Sequence, residues 1–168
     1  FSWISHTNEV RLTLFKNDND LNRLPTSLFH VVPNYPSRFW MRGSNSNYLN
    51  EKVKKLVFVG SLGYDNMYLQ ELIDWLKVHQ DEFTLDVYSY NIDEKAKLLL
   101  NNNYSKNVRY CGGCNYDELP EILKDYDIGL DIYKPYALNH VHGVSNKVFE
   151  YLACGLDVWF SKDKQQTL

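Results

Sequence analysis

Between residues 55 and 160, short apolar runs alternate with stretches of helical periodicity, and this alternation restricts the architecture more than any other feature of the chain. Residues 56–59 read as a buried strand ended by Gly60, and Leu69, Leu72, Ile73 and Leu76 follow at helical spacing. The pattern then repeats, with strands predicted at 83–88, 107–110, 128–132 and 157–160 and helices at 93–100, 117–124 and 145–154. Leu119, Ile122 and Leu123 are the expected inward side chains of the third helix. Strands of four to six residues separated by helices predict an α/β fold, a Rossmann-like parallel sheet with helices on both faces. Right-handed crossovers gather the loops that leave the strands at one edge, where ligands of such folds bind. A site is therefore expected among residues 60–66, 111–116, 133–144 and whatever follows 160.

Before residue 55 the pattern is less regular. Leu12, Leu14 and Phe15 fit a short helix or a strand, and residues 28–32 form an apolar run stopped by Pro33, a strand by length. Pro33 and Pro36 force an extended path, and residues 37–54 read as a polar linker. At 168 residues one core is expected. A net charge of −3 gives no field to recruit nucleic acid, and the Tyr and Phe residues are scattered rather than set in a basic stripe, so no nucleic-acid partner is expected. Three cysteines are too few for a secreted disulfide framework, and neither a signal peptide nor a long apolar run is present, so a cytoplasmic location is expected. The chain starts at Phe1 and ends at Leu168 just past an apolar strand, which reads as a piece of something larger.

The segment richest in chemistry is 142–159, HGVSNKVFEYLACGLDVW. Steps of about 100° per residue put Val148, Phe149 and Leu152 on one apolar arc with Glu150 nearly opposite. Ser145 is the expected N-cap, Gly143 permits close approach of an anion, and Asn146 and Lys147 stand in the first turn, a setting suited to a diphosphate. Glu150 sits too deep to cap the helix and suits hydroxyl donors such as a ribose diol. From the pattern alone, an exposed helix with solvated Glu and Lys accounts for these residues equally well. Cys111 and Cys114 form a CxxC around Gly112 and Gly113, read as two reduced thiols in a glycine turn rather than a zinc or redox site. His140 and His142 have no acidic cluster beside them and read as loop histidines that contact a ligand or solvent. Serine-hydrolase order, a Walker loop and a complete GxGxxG are all missing from the sequence.

Three stretches resemble the C-terminal, donor-binding domain of GT-B type glycosyltransferases of the large nucleotide-sugar-dependent family: KLVFVGSLG at 55–63, YDELPEILKDYDIGLDIY at 116–133 and VSNKVFEYLACGLDVW at 144–159. HVVPNYP at 30–36 resembles the crossing out of the N-terminal domain. The resemblance covers about three quarters of the chain. It implies that residues 1–36 are the tail of an acceptor domain with the crossing, 37–54 a linker, and 55–168 a nucleotide-sugar-binding domain incomplete at its C-terminus. It further implies that Glu150 binds the donor ribose and that amides near Ser145, Asn146 and Lys147 hold the diphosphate. The loop containing Gly112 and Gly113 would lie beside the base, with Gly60 and Ser61 near the diphosphate. Catalytic groups are expected in the missing N-terminal domain. The implied donor is a nucleotide-diphosphate sugar and the acceptor a sugar or lipid-linked hydroxyl, in surface polysaccharide or glycoconjugate synthesis. No cofactor and no metal are expected, and the full-length enzyme could associate peripherally with the inner face of a membrane.

Departures from the family pattern are visible as well. His142 stands eight positions before Glu150, where relatives often carry an acid. Ser61 replaces a frequent arginine, and no basic residue lies between Lys55 and Lys77, which leaves Lys147 or Lys134 to supply the charge. Asp157 replaces a frequent proline before the last strand. Two other readings share the pattern. A sugar-nucleotide 2-epimerase has the same two-domain architecture, and a non-catalytic flavodoxin-like module has the same alternation, although Gly60, Ser61 and Leu62 give no acidic pair after the first strand.

Overall fold

The computed structural model describes residues 3–33, 35–41, 53–104, 107–136 and 145–162. Strand β1 (Ile4–His6) pairs in parallel with β2 (Phe29–Val31), and helix α1 (Glu9–Asp18) joins them. The open choice at Leu12–Phe15 resolves as helix because Asn8 caps it, its side chain accepting from the Arg11 amide at 2.9 Å, and Glu9 follows in the first turn. Residues 26–28 form a short 3₁₀ turn, so the strand expected at 28–32 starts at Phe29.

A five-stranded sheet follows, formed by β3 (Lys54–Val59), β4 (Phe83–Tyr88), β5 (Val108–Gly112), β6 (Ile128–Asp131) and β7 (Asp157–Phe160). All its pairings are parallel and the order is β5-β4-β3-β6-β7. Strand alternation divides the core into two layers. Leu56, Phe58, Leu85 and Val87 face α2 (Leu69–Val78) and α3 (Glu94–Asn102), which bury Leu69, Ile73, Leu76, Ala96 and Leu100. Val57 faces the opposite layer, where α4 (Leu119–Leu123) contributes Leu119 and Leu123 and α5 (Asn146–Ala153) contributes Tyr151. The expected Rossmann-like sheet with helices on both faces is therefore present. The order reverses between β3 and β6, so the crevice at their carboxyl ends is the topological switch point of the fold.

Three expectations need adjusting. Strand β5 runs on through Cys111 and Gly112, so half of the CGGC turn is strand. The helix expected at 117–124 is a 3₁₀ turn, Tyr116–Glu118, leading into the short α4, whose second position is Pro120. On α5 the buried face is not the Val148, Phe149 and Leu152 arc. Val148 and Tyr151 are buried, whereas Leu152 is 46% exposed.

The reason for that rotation is a single side chain. Tyr151 lays its ring against Gly129 on β6, where a β-carbon would collide with it. Its hydroxyl accepts from the Val59 amide at 3.0 Å. Successive amides along a strand point to opposite neighbours, and the Gly60 amide goes to the Tyr88 carbonyl on the β4 side, so the Val59 amide faces β6. The β3–β6 register ends at Val57 and Gly129, and the Tyr151 hydroxyl takes the amide left where the strands part. A second polar device, on the same face, holds the β4–β5 end of the sheet. Asp86 on β4, 4% exposed, accepts two bonds from Arg109 on β5, one of them 2.7 Å long, and a third of 2.7 Å from the Tyr126 hydroxyl.

Gly129→Ala should destabilise the chain by about 1–3 kcal/mol through overpacking against Tyr151, measured by urea unfolding. Gly112→Ala meets no neighbour, and its cost should stay near the roughly 1 kcal/mol of a strained positive φ.

Candidate functional site

A cleft of about 380 Å³ opens at the carboxyl edge between the ends of β3 and β4 and the loop after β5. Gly60 and Ser61 line it, as do Ser89, Tyr90 and Asn91 from the loop after β4 and Cys114, Asn115 and Tyr116 from the loop after β5. A smaller, more polar depression of about 260 Å³ continues beyond Ser61 and Asn91 toward Asp93 and Tyr133.

Lys147, in the first turn of α5, reaches into this edge. Gly60 has φ +121°, and a β-carbon there would lie 2.5 Å from Lys147 Cε, so glycine is what lets the lysine stem cross the end of β3. Lys147 Nζ donates to the Tyr133 hydroxyl at 2.9 Å and stands 4.8 Å from the Tyr133 ring centre and 5.5 Å from that of Phe58. A hydroxyl and two aromatic faces hold the ammonium at the edge while leaving donor capacity for an anion. Lys134, the other candidate cation, lies 3.5 Å from Glu71 and beside the Tyr68 ring.

One turn further along α5 the half-buried Glu150 accepts from the Tyr116 hydroxyl at 3.2 Å. Burial pushes its pKa above the ordinary carboxylate value, and the Tyr116 hydrogen bond and the Lys147 charge pull the other way without cancelling the effect. Glu150 is thus tied to the cleft wall through Tyr116, which lines the cleft, and is not itself a lining residue.

The remaining sequence candidates fall into place unevenly. Ser145 occupies the N-cap position of α5, its carbonyl accepting from the Val148 amide at 3.0 Å, but its side chain makes no capping bond. Asn146 is the first helical residue. Gly112 ends β5 with φ +78°, and Gly113 lies under the Tyr90 ring. Neither lines the cleft, which receives Cys114 and Asn115 instead. His142 and Gly143 lie outside the described residues, as does His140. Cys111, Cys114 and Cys154 take part in no disulfide, and burial pushes the pKa values of the first two up. Sequence reasoning overlooked the loop after β4 and did not single out Tyr116 or Tyr133. The expected strand at 83–88 was itself the missed signal, since Ser89, Tyr90 and Asn91 leave it at the carboxyl edge.

No protein-family model and no curated protein matches this sequence. Among solved structures, the chain resembles S. aureus TarM, a GT-B glycosyltransferase, in a crystal structure of a point mutant in complex with fondaparinux, α-GlcNAc-glycerol and UDP. The TM-score is 0.66 at 12% identity, over 99% of this chain and 31% of TarM. The likeness is one of fold: a Rossmann-like α/β arrangement of the kind found in a GT-B enzyme. The chain thus spans about a third of the length of the protein it resembles.

The raised Glu150 pKa has a sign that can be tested. A carboxyl whose folded pKa lies above its unfolded value adds stability below the unfolded pKa, and that stability is lost as pH rises through the folded pKa. Glu150→Gln should therefore stabilise the chain at pH 7, with the advantage shrinking toward pH 4, as read from urea midpoints at the two pH values.

Proposed function

We propose that the chain is the donor-binding part of a GT-B type glycosyltransferase that uses a nucleotide-diphosphate sugar. The observation that carries this reading is Lys147. Its ammonium crosses Gly60 at the strand-order reversal, one helical turn before a half-buried carboxylate that can accept from hydroxyls. Backbone amides at the start of α5 and the lysine would receive the diphosphate, and Glu150 the ribose diol. The base would enter the 380 Å³ cleft beside Tyr90 and Tyr116. UDP in the TarM complex makes a uridine nucleotide the first donor to try.

In the proposed reaction an acceptor hydroxyl forms a bond to the anomeric carbon as the bond to the diphosphate oxygen breaks. The charge growing on the leaving diphosphate meets the helix amides and Lys147, which is electrostatic stabilisation without a need for a metal. The acceptor, a sugar or a lipid-linked glycan, would be presented by a domain preceding residue 37, with residues 37–54 as linker. We place the enzyme in surface polysaccharide or glycoconjugate assembly, in the cytoplasm or peripherally at the inner face of the membrane. Among the described residues no helix is long and apolar enough to cross a membrane.

Calorimetric titration with UDP, GDP and ADP should show one preferred nucleotide, and Glu150→Ala should weaken it by about 1–3 kcal/mol. Lys147→Ala should cost about 1.5–3 kcal/mol with the diphosphate and little with the nucleoside alone. Equal losses with diphosphate and nucleoside would sink the diphosphate role of the lysine.

A further inference from the structure

In the reading above Tyr116 only borders the base, yet it is held more tightly than an exposed loop tyrosine requires. It opens the 3₁₀ turn Tyr116–Glu118, and a reciprocal pair of bonds anchors that turn: the Glu118 amide donates to the Asn115 carbonyl at 3.1 Å, and Glu118 Oε2 accepts from the Asn115 amide at 3.0 Å. Its ring leans on Trp40, with centroids 4.8 Å apart. Trp40 is 4% exposed, ends the short turn Arg38–Trp40 ahead of the sheet, and packs in the apolar layer with Val57, Leu119 and Tyr151. The Trp40 carbonyl also accepts from the Cys154 thiol just past the end of α5, at 3.8 Å. The tyrosine is thus braced from two sides and delivers its hydroxyl to Glu150 Oε1.

We infer that Tyr116 is a positioning residue of the nucleotide site, its hydroxyl, braced by Trp40, setting the plane of the Glu150 carboxylate for a ligand's vicinal diol. This rests on the proposed role of Glu150. A diol needs two acceptor directions at once, and a carboxylate free to turn would lose rotamer entropy on binding. Here one oxygen is already engaged, so part of that entropy is given up on folding, and Oε2 with the remaining lone pair of Oε1 would be left to accept from the diol. The same bond favours the ionised form that a diol requires, against the burial that opposes it. Among the described residues the groups acting on the Glu150 carboxyl are Tyr116 from the loop before α4 and Lys147 from its own helix, and Tyr151 on that helix feels its charge.

The test is a double-mutant cycle on the 168-residue chain, read by calorimetry with whichever of UDP, GDP and ADP binds the wild type. Tyr116→Phe keeps the ring against Trp40, and the melting temperature should stay within a degree or two of the wild type. Nucleotide affinity should fall about three- to tenfold, and the acid limb of the affinity–pH profile should move to higher pH because Glu150 loses a bond that holds its proton off. In a Glu150→Gln background the same substitution should cost nothing further. Unchanged affinity in Tyr116→Phe, or a loss that persists in full beside Glu150→Gln, overturns the positioning role, the latter by showing that the phenol touches the ligand itself. A wild type that binds none of the three nucleotides removes the nucleotide site and the positioning role together.

Discussion

Tyr151 against Gly129 is the contact on which the rest of the site depends. The ring can lie on β6 only because residue 129 has no side chain, and the hydroxyl completes the hydrogen bonding of β3 where the two strands separate. One buried side chain on α5 therefore touches both strands that flank the switch point. This sets the rotation of α5, and the rotation decides where Lys147 and Glu150 emerge. Lys147 then crosses a second glycine, Gly60, so two positions without β-carbons accommodate two successive turns of one helix. The helix is short, and its stability comes from this packing rather than from propensity.

Behind the cleft the sheet carries a polar network where an apolar core would have sufficed. Asp86 is satisfied by Arg109 and Tyr126, and the Tyr126 and Tyr88 hydroxyls lie 3.1 Å apart. Burial holds both phenols protonated, their pKa values pushed up, so they can bridge the ion pair to the cleft wall formed by Tyr88. Removing one partner of such a network strands a buried charge, which is why it ties β4 to β5 firmly even though an ion pair of this kind adds little net stability. The loop after β5, which supplies Asn115 and Tyr116, thus starts from a strand tied to β4, with a one-residue register shift at Cys111 between the Val87–Tyr110 and Tyr88–Gly112 pairs.

Most of the sheet was legible because its central strands are buried on both faces and read as apolar runs. The expected span 83–88 coincides with β4, and 157–160 with the half-exposed edge strand β7. Glu150 and Lys147 were legible as a pair on one helix, because periodicity places them whatever the helix packs against. The face of that helix was misjudged. Leu152 is the more apolar residue by side chain, but Tyr151 can satisfy both an apolar surface and an orphaned amide, and Leu152 can satisfy only the first. Gly112 and Gly113 were expected beside the base from the resemblance, whereas the cleft receives the residues just after them, because β5 extends further than its apolar run.

By itself, then, the sequence determined the alternation, the parallel sheet with its two helical layers, and the placing of Lys147 and Glu150 one turn apart on a single helix, because these follow from spacing along the chain. What only the tertiary structure decided is which residues converge. The strand order, with β6 beside β3, brings residues 60 and 147 together across nearly ninety positions, and the loop after β5 lays Tyr116 on Glu150. Trp40, from ahead of the sheet, closes the set by bracing that tyrosine. No periodicity encodes such meetings. They arise from the handedness of the crossovers and from the space that missing β-carbons leave.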